Sequence, residues 1–78
     1  MKTSEVFPQR LGELMERSGM TQEALSKRTE IPLATIRAYL SGKRENVSTR
    51  NLFLFAQSFD IPMSDLVDYL SGVGNLYK

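Results

Sequence analysis

The 78-residue chain, with 41% hydrophobic and 24% charged side chains, lies in the ordinary range for one small globular domain and lacks the low-hydrophobicity, high-charge balance of disordered segments. It has no Cys and no His, which excludes disulfides, thiolate chemistry, Cys/His zinc sites and every His-based general base or triad. The net charge of +1 hides an asymmetry: residues 1–26 carry three Lys/Arg against four Glu, residues 27–50 six against two, and residues 51–78 one against three.

Basic charge concentrated in the middle third is the electrostatic footprint of a nucleic-acid face. The N-terminal stretch MKTSEVFPQRLGEL has no continuous apolar segment, and no apolar run approaches the ~18 residues of a membrane span. A soluble, cytoplasmic protein is expected. A domain of this size buries only about 60% of the surface its unfolded chain exposes, so its core must be efficient.

Residues 1–6 are polar and uncapped and are expected to form a flexible arm. From Phe7 to Ser18 the apolar positions Phe7, Leu11, Leu14 and Met15 fall at the spacing of one core-facing helical stripe. Pro8 suits the first turn, Gly19 supplies a left-handed C-cap, and Met20 can fold back onto the helix. Thr21 is then an N-cap for a second helix over about 22–28, with Met20 and Leu25 placed as a hydrophobic staple.

The corner Thr29-Glu30-Ile31-Pro32 separates that helix from a third, about Pro32 to Ser41, because the residue before a proline is pushed out of the helical region. In helix three Ile36, Tyr39 and Leu40 point inward, leaving Leu33, Ala34, Arg37 and Ala38 on the outer face. Lys43 to Val47 form a polar loop. Ser48 caps a fourth helix with Val47 and Leu52 as its staple, and Leu52, Phe53, Phe55, Ala56 and Phe59 bring apolar mass to the core. Asp60-Ile61-Pro62 begins a fifth helix, Met63 to about Leu70, closed by Ser71-Gly72. Ile-Pro and Tyr-Leu-Ser-Gly occur at residues 31–32 and 39–42 and again at 61–62 and 69–72, a shared capping grammar more than an internal repeat. The expectation is an all-α, compact five-helix domain over residues 7–71, with a tail at 72–78.

The stretch Thr21 to Arg44 reads as two short helices joined by a tight corner. Its residues, with Leu11 and Leu14 before it and Leu52, Ala56, Phe59, Ile61 and Leu66 after it, resemble the lambda-repressor-like, Cro/Xre family of helix-turn-helix DNA-binding regulators. The likeness covers about residues 7–70. It rests on the Thr21-Gln22 opening, the Thr35-Ile36 pair, Gly42-Lys43 after helix three, and the spacing to Leu52 and Ala56.

The resemblance implies double-stranded DNA as the partner and no cofactor. It puts Thr21, Gln22, Thr35, Ser41, Lys43 and Arg44 at phosphate-facing positions; at Gln22 the helix N-terminus itself favours an anion. It puts Leu33, Ala34, Arg37 and Ala38 at base-reading positions, where the family commonly has Gln, Ser, Asn and Arg. Of these four only Arg37 can form a bidentate hydrogen bond to guanine, worth about 1–3 kcal/mol of discrimination; Leu33, Ala34 and Ala38 can at most pack on thymine methyls. Two further departures lie in the corner, where Glu30 replaces the usual Gly and Thr29 the usual aliphatic. Glu in a left-handed turn costs about 1 kcal/mol relative to Gly, so a differently shaped corner is expected.

The leading function is a sequence-specific transcriptional repressor that occupies an operator. One such module reads few base pairs, so a two-fold dimer with recognition helices about 34 Å apart is expected. Met63, Leu66, Val67, Leu70, Val73, Leu76 and Tyr77 are the candidate dimer contacts, the alternative being that most of them complete the monomer core. The competing function is an antitoxin-like interaction module that binds a protein partner through its C-terminal helix. An enzyme is disfavoured, since no nucleophile–base pair, metal cluster or phosphate-cradling glycine loop is present.

Overall fold

Each helix boundary traces to a particular residue. In the computed structural model, which describes residues 1–74, the elements are α1 (Phe7–Arg17), α2 (Gln22–Thr29), α3 (Leu33–Ser41), α4 (Thr49–Phe59) and α5 (Met63–Leu70). Pro8 occupies the first turn of α1. That helix stops one residue earlier than expected, at Arg17, because Gly19 takes a left-handed φ of 66°. The turn lets the Gly19 and Met20 N–H groups donate to the Glu16 and Met15 carbonyls at 3.1 and 2.9 Å, satisfying carbonyls a helix end otherwise orphans. The Thr21 and Ser48 hydroxyls accept from the Ala24 and Asn51 N–H groups at 3.1 and 3.0 Å, capping α2 and α4 as expected.

The two Ile-Pro corners share one geometry. Glu30 and Asp60 are left-handed, with φ of 61° and 56°, and Pro32 and Pro62 follow at φ −55° and −60° to open α3 and α5. The expected reshaping at Glu30 does not occur: the residue adopts the glycine-like conformation despite its side chain. Thr29 explains part of this. It is 2% exposed, its hydroxyl donates to the Leu25 carbonyl at 2.7 Å, and the same oxygen accepts the Ile31 N–H at 3.2 Å. A side-chain bond thus satisfies the backbone where an aliphatic residue would supply only packing.

The core is an aromatic chain with aliphatic flanks. Phe7 meets Tyr39 edge to face at 5.8 Å between centroids, Tyr39 meets Phe55 at 5.9 Å, and Phe55 stacks on Phe59 at 6.5 Å. The rings therefore join α1, α3 and α4 through one continuous cluster, and Asn51 Nδ2 donates to the Tyr39 hydroxyl at 3.0 Å. Leu11, Leu14, Leu25, Ile36, Leu66 and Leu70 fill the remaining volume with no exposure, each worth about 1.5–3 kcal/mol of transfer free energy. Leu40 is half-buried at the edge of this cluster.

Three expectations need correction. Phe53, assigned to the core, is 51% exposed; it stands on the outer face of α4, out of step with Leu52, Phe55 and Ala56. Leu66 and Leu70, named as dimer contacts, are wholly buried in the monomer, because α5 turns that side toward α1 and α4. Residues 1–6 are not free of the fold. Lys2 pairs with Asn46 as an isolated antiparallel bridge, and Ser4 Oγ donates to the Leu70 carbonyl at 2.7 Å. Leu76 and Tyr77 lie outside the described residues.

A polar seam joins α1 to α5. The Tyr69 hydroxyl donates to Glu13 Oε2 at 2.8 Å, Gln9 Nε2 donates to Glu13 Oε1 at 3.2 Å, and the Arg10 guanidinium lies 4.7 Å over the Tyr69 ring. The Tyr69 bond first, then that of Gln9, holds the Glu13 carboxyl below the ordinary carboxylate value.

Candidate nucleic-acid interface

The helix pair α2–α3 is held from beneath by Leu25, Ile31 and Ile36, all buried, so the opposite side of the pair is free to face a partner. On α3 that side bears Ala34 and Arg37, both exposed, with Leu33, Thr35 and Ala38 half-buried at its margins. The residues expected to read bases therefore do share one outward face. Only one of them carries hydrogen-bond donors.

Arg37 is tied to the first turn of α2. Its Nε–H donates to Gln22 Oε1 at 3.1 Å, and a terminal nitrogen lies 3.9 Å from Glu23 Oε1. With the Arg37 and Glu23 side chains 60% and 63% exposed, that ion pair contributes at most about 1 kcal/mol. The Gln22 bond has a geometric consequence: it occupies the amide oxygen and leaves the Nε2 donors for another acceptor. It also restrains the guanidinium while both terminal nitrogens, the pair a guanine edge requires, retain donors.

The flanks carry the remaining candidates. Thr21 is exposed and acts as the α2 cap; Thr35 is half-buried in the first turn of α3. The exposed Ser41 hydroxyl donates to the Ala38 carbonyl at 3.2 Å. Gly42, at φ 79°, ends α3 and turns the chain so that Lys43 and Arg44 follow on the surface. The Arg44 guanidinium lies 5.8 Å over the Tyr39 ring, and the Arg44 backbone N–H donates to the Ala38 carbonyl at 3.2 Å. Arg44 thus has a defined base even though its charge is exposed.

Two residues belong to this surface that sequence reasoning did not place there. Arg50, in the first turn of α4, lines a cleft of about 270 Å³ with Arg44, Thr35 and Asn51. The excess of basic charge over residues 27–50 already included it, but only the fold brings the α4 start beside the α2–α3 corner. Glu23 is the second, a carboxylate set beside Arg37, and no helical spacing reveals a pair that spans two helices. Among the described residues no group of three or more acidic side chains is placed to hold a metal ion, and no helix is long and apolar enough to cross a membrane.

Residues 10–71 match the family model of the Cro/C1-type helix-turn-helix DNA-binding domain. The chain belongs to that family. As a Cro/C1-type domain it is a DNA-binding regulator, and α2–α3 is its helix-turn-helix. Solved structures agree. The restriction-modification controller protein C.AhdI from Aeromonas hydrophila is 33% identical with a TM-score of 0.70, over 77% of this chain and 89% of that one. A transcriptional regulator from Listeria innocua shares the fold at 17% identity and a TM-score of 0.68, over 100% of this chain and 67% of that one. No curated protein sequence matches.

Proposed function

We propose that this Cro/C1-type domain is a sequence-specific transcriptional repressor that inserts α3 into the major groove of an operator and acts by occupancy. The observation that carries the reading is the bond from Arg37 to Gln22, because it joins the one side chain equipped for base readout to the residue at the family's phosphate-clamping position. Gln22 is offered to a phosphate at the α2 N-terminus, where unpaired N–H groups favour an anion. Lys43, Arg44 and Arg50 neutralise neighbouring phosphates, with Thr21, Thr35 and Ser41 as polar contacts; these position the domain without carrying sequence information. Arg37 reads guanine, while Leu33, Ala34 and Ala38 offer apolar contact to thymine methyls, leaving much of the specificity to DNA shape. The regulatory role accords with a controller protein and a transcriptional regulator standing among the similar structures.

A homodimer on DNA completes the reading. With Leu66 and Leu70 withdrawn into the core, the contact falls to the half-buried Met63 and Val67 and to Val73, which is 61% exposed. Selection of bound sites from a random DNA pool tests the whole proposal. The expected product is a two-fold motif containing guanine in each half-site, with half-sites about one helical turn apart. Recovery of no enriched motif overturns it and favours a module that binds a protein partner through its C-terminal helix.

A further inference from the structure

The first four residues have no part in the helix-turn-helix, and two of them, Met1 and Thr3, make backbone bonds to the loop that follows α3. The Thr3 N–H donates to the Glu45 carbonyl at 2.7 Å, and the Thr3 hydroxyl donates to the same oxygen at 3.1 Å. The Val47 N–H donates to the Met1 carbonyl at 2.8 Å, with Lys2 and Asn46 opposite each other between these bonds. The other end is tied down by Ser4 on the Leu70 carbonyl, at 2.7 Å. Between these anchors the segment runs beside Pro8 and Gly42, which line a shallow cleft of about 340 Å³ with it.

The partner of this short ladder is the loop that carries the phosphate-facing cations. At its α3 end the loop is secured by the Gly42 N–H on the Tyr39 carbonyl and the Arg44 N–H on the Ala38 carbonyl. From Glu45 to Val47, before Ser48 caps α4, its backbone bonds among the described residues all go to Met1 and Thr3. Without the ladder, the chain between Arg44 and the buried Val47 keeps no backbone anchor of its own. A two-stranded pairing is marginal in isolation; here it persists because the core holds Val47 and Ser4 holds the far end.

We propose that residues 1–3 are a positioning element for the DNA-facing loop, bracing Lys43 and Arg44 through Thr3 without touching DNA themselves. The inference rests on the DNA-binding reading above. Ordering a loop in advance removes that cost from binding, so freeing this one weakens affinity by about tenfold while the same cations still reach the same phosphates.

The test uses the full chain with Thr3→Pro, which removes the N–H donor and sets a ring methylene against the Glu45 carbonyl, and Thr3→Val, which keeps the donor and loses only the hydroxyl. Affinity for a duplex carrying the selected site is measured against salt, and amide exchange at Val47 is measured without DNA, below the melting midpoint of every variant. Thr3→Pro should accelerate exchange at Val47 and lower affinity about tenfold with an unchanged salt slope, and Thr3→Val should stay within about twofold of the parent. Parent-like affinity for Thr3→Pro, with a parent that binds in a salt-sensitive way, overturns the brace and leaves the DNA reading intact. A parent that binds no DNA overturns that reading instead; the exchange measurement then stands alone, and unchanged protection of Val47 overturns the brace.

Discussion

Glu30→Gly should stabilise the domain. Glu30 sits at φ 61° and ψ 13° as the C-cap of α2, a conformation in which a Cβ crowds the following carbonyl and which costs a non-glycine residue about 1 kcal/mol. Its own side chain makes no contact that relieves that strain: the residue is exposed and forms no hydrogen bond or ion pair among the described residues. Glycine relieves the strain but adds about 0.4–1 kcal/mol of freedom to the unfolded chain, so the net gain is at most about 0.6 kcal/mol. For a domain of this size that raises Tm by up to about 5 °C. Glu30→Ala separates strain from charge, because alanine keeps the Cβ and should melt with the parent. Asp60→Gly, at φ 56°, should gain less, since aspartate tolerates this region better. Thermal melting by circular dichroism measures all three. A Glu30→Gly variant no more stable than Glu30→Ala would refute the strain argument.

Three further outcomes follow from the same geometry. Thr29→Val should cost about 1–3 kcal/mol in urea unfolding, because it strands the buried Ile31 N–H that Thr29 Oγ1 now accepts at 3.2 Å; no loss would mean another acceptor takes that donor. Leu66→Ala should lose about 2–5 kcal/mol of monomer stability, whereas Val67→Asp should leave the monomer folded and weaken self-association in sedimentation; the reverse pattern would return Leu66 to an interface. Glu13 has its pKa lowered in the fold, so its contribution is present above the unfolded-state pKa and is lost as pH falls through the lower folded-state value. Tyr69→Phe removes the largest cause of that shift and should flatten the acid limb of stability against pH; an unchanged limb would show that the 2.8 Å bond does not favour the ionised carboxyl.

Much of the fold was legible because its signals are local. Thr21, Ser48, Gly19 and Gly42 mark helix ends through conformations and bonds that involve only nearby residues, and the stripe of Phe7, Leu11, Leu14 and Met15 names its own buried face. What failed depended on contacts distant in sequence. Phe53 has the composition of a core residue, and only the rotation of α4 leaves it outside. Leu66 and Leu70 could serve a core or an interface equally well until α1 and α4 were placed against α5. At Glu30 a general steric preference pointed to a reshaped corner, yet Thr29 and the burial of Ile31 hold the turn against a cost of about 1 kcal/mol. The arm was misread for a related reason: backbone pairing between residues 1–3 and 45–47 leaves no mark in side-chain pattern. In the interface, Arg37 stood out as the one polar reader and Gln22 as a phosphate-facing residue, while Glu23 and the pairing of Arg37 with both across two helices did not.

On the proposed reading, Arg37 reads sequence while the surrounding cations supply affinity. That reading is tested most directly by comparing Arg37→Ala with the parent on the selected site and on scrambled DNA at one salt concentration. Loss of about 1–3 kcal/mol on the selected site, about 5- to 150-fold in Kd, with scrambled-DNA affinity falling far less, is the predicted result. Equal losses on both duplexes would make Arg37 one more phosphate contact and rule out base readout by it.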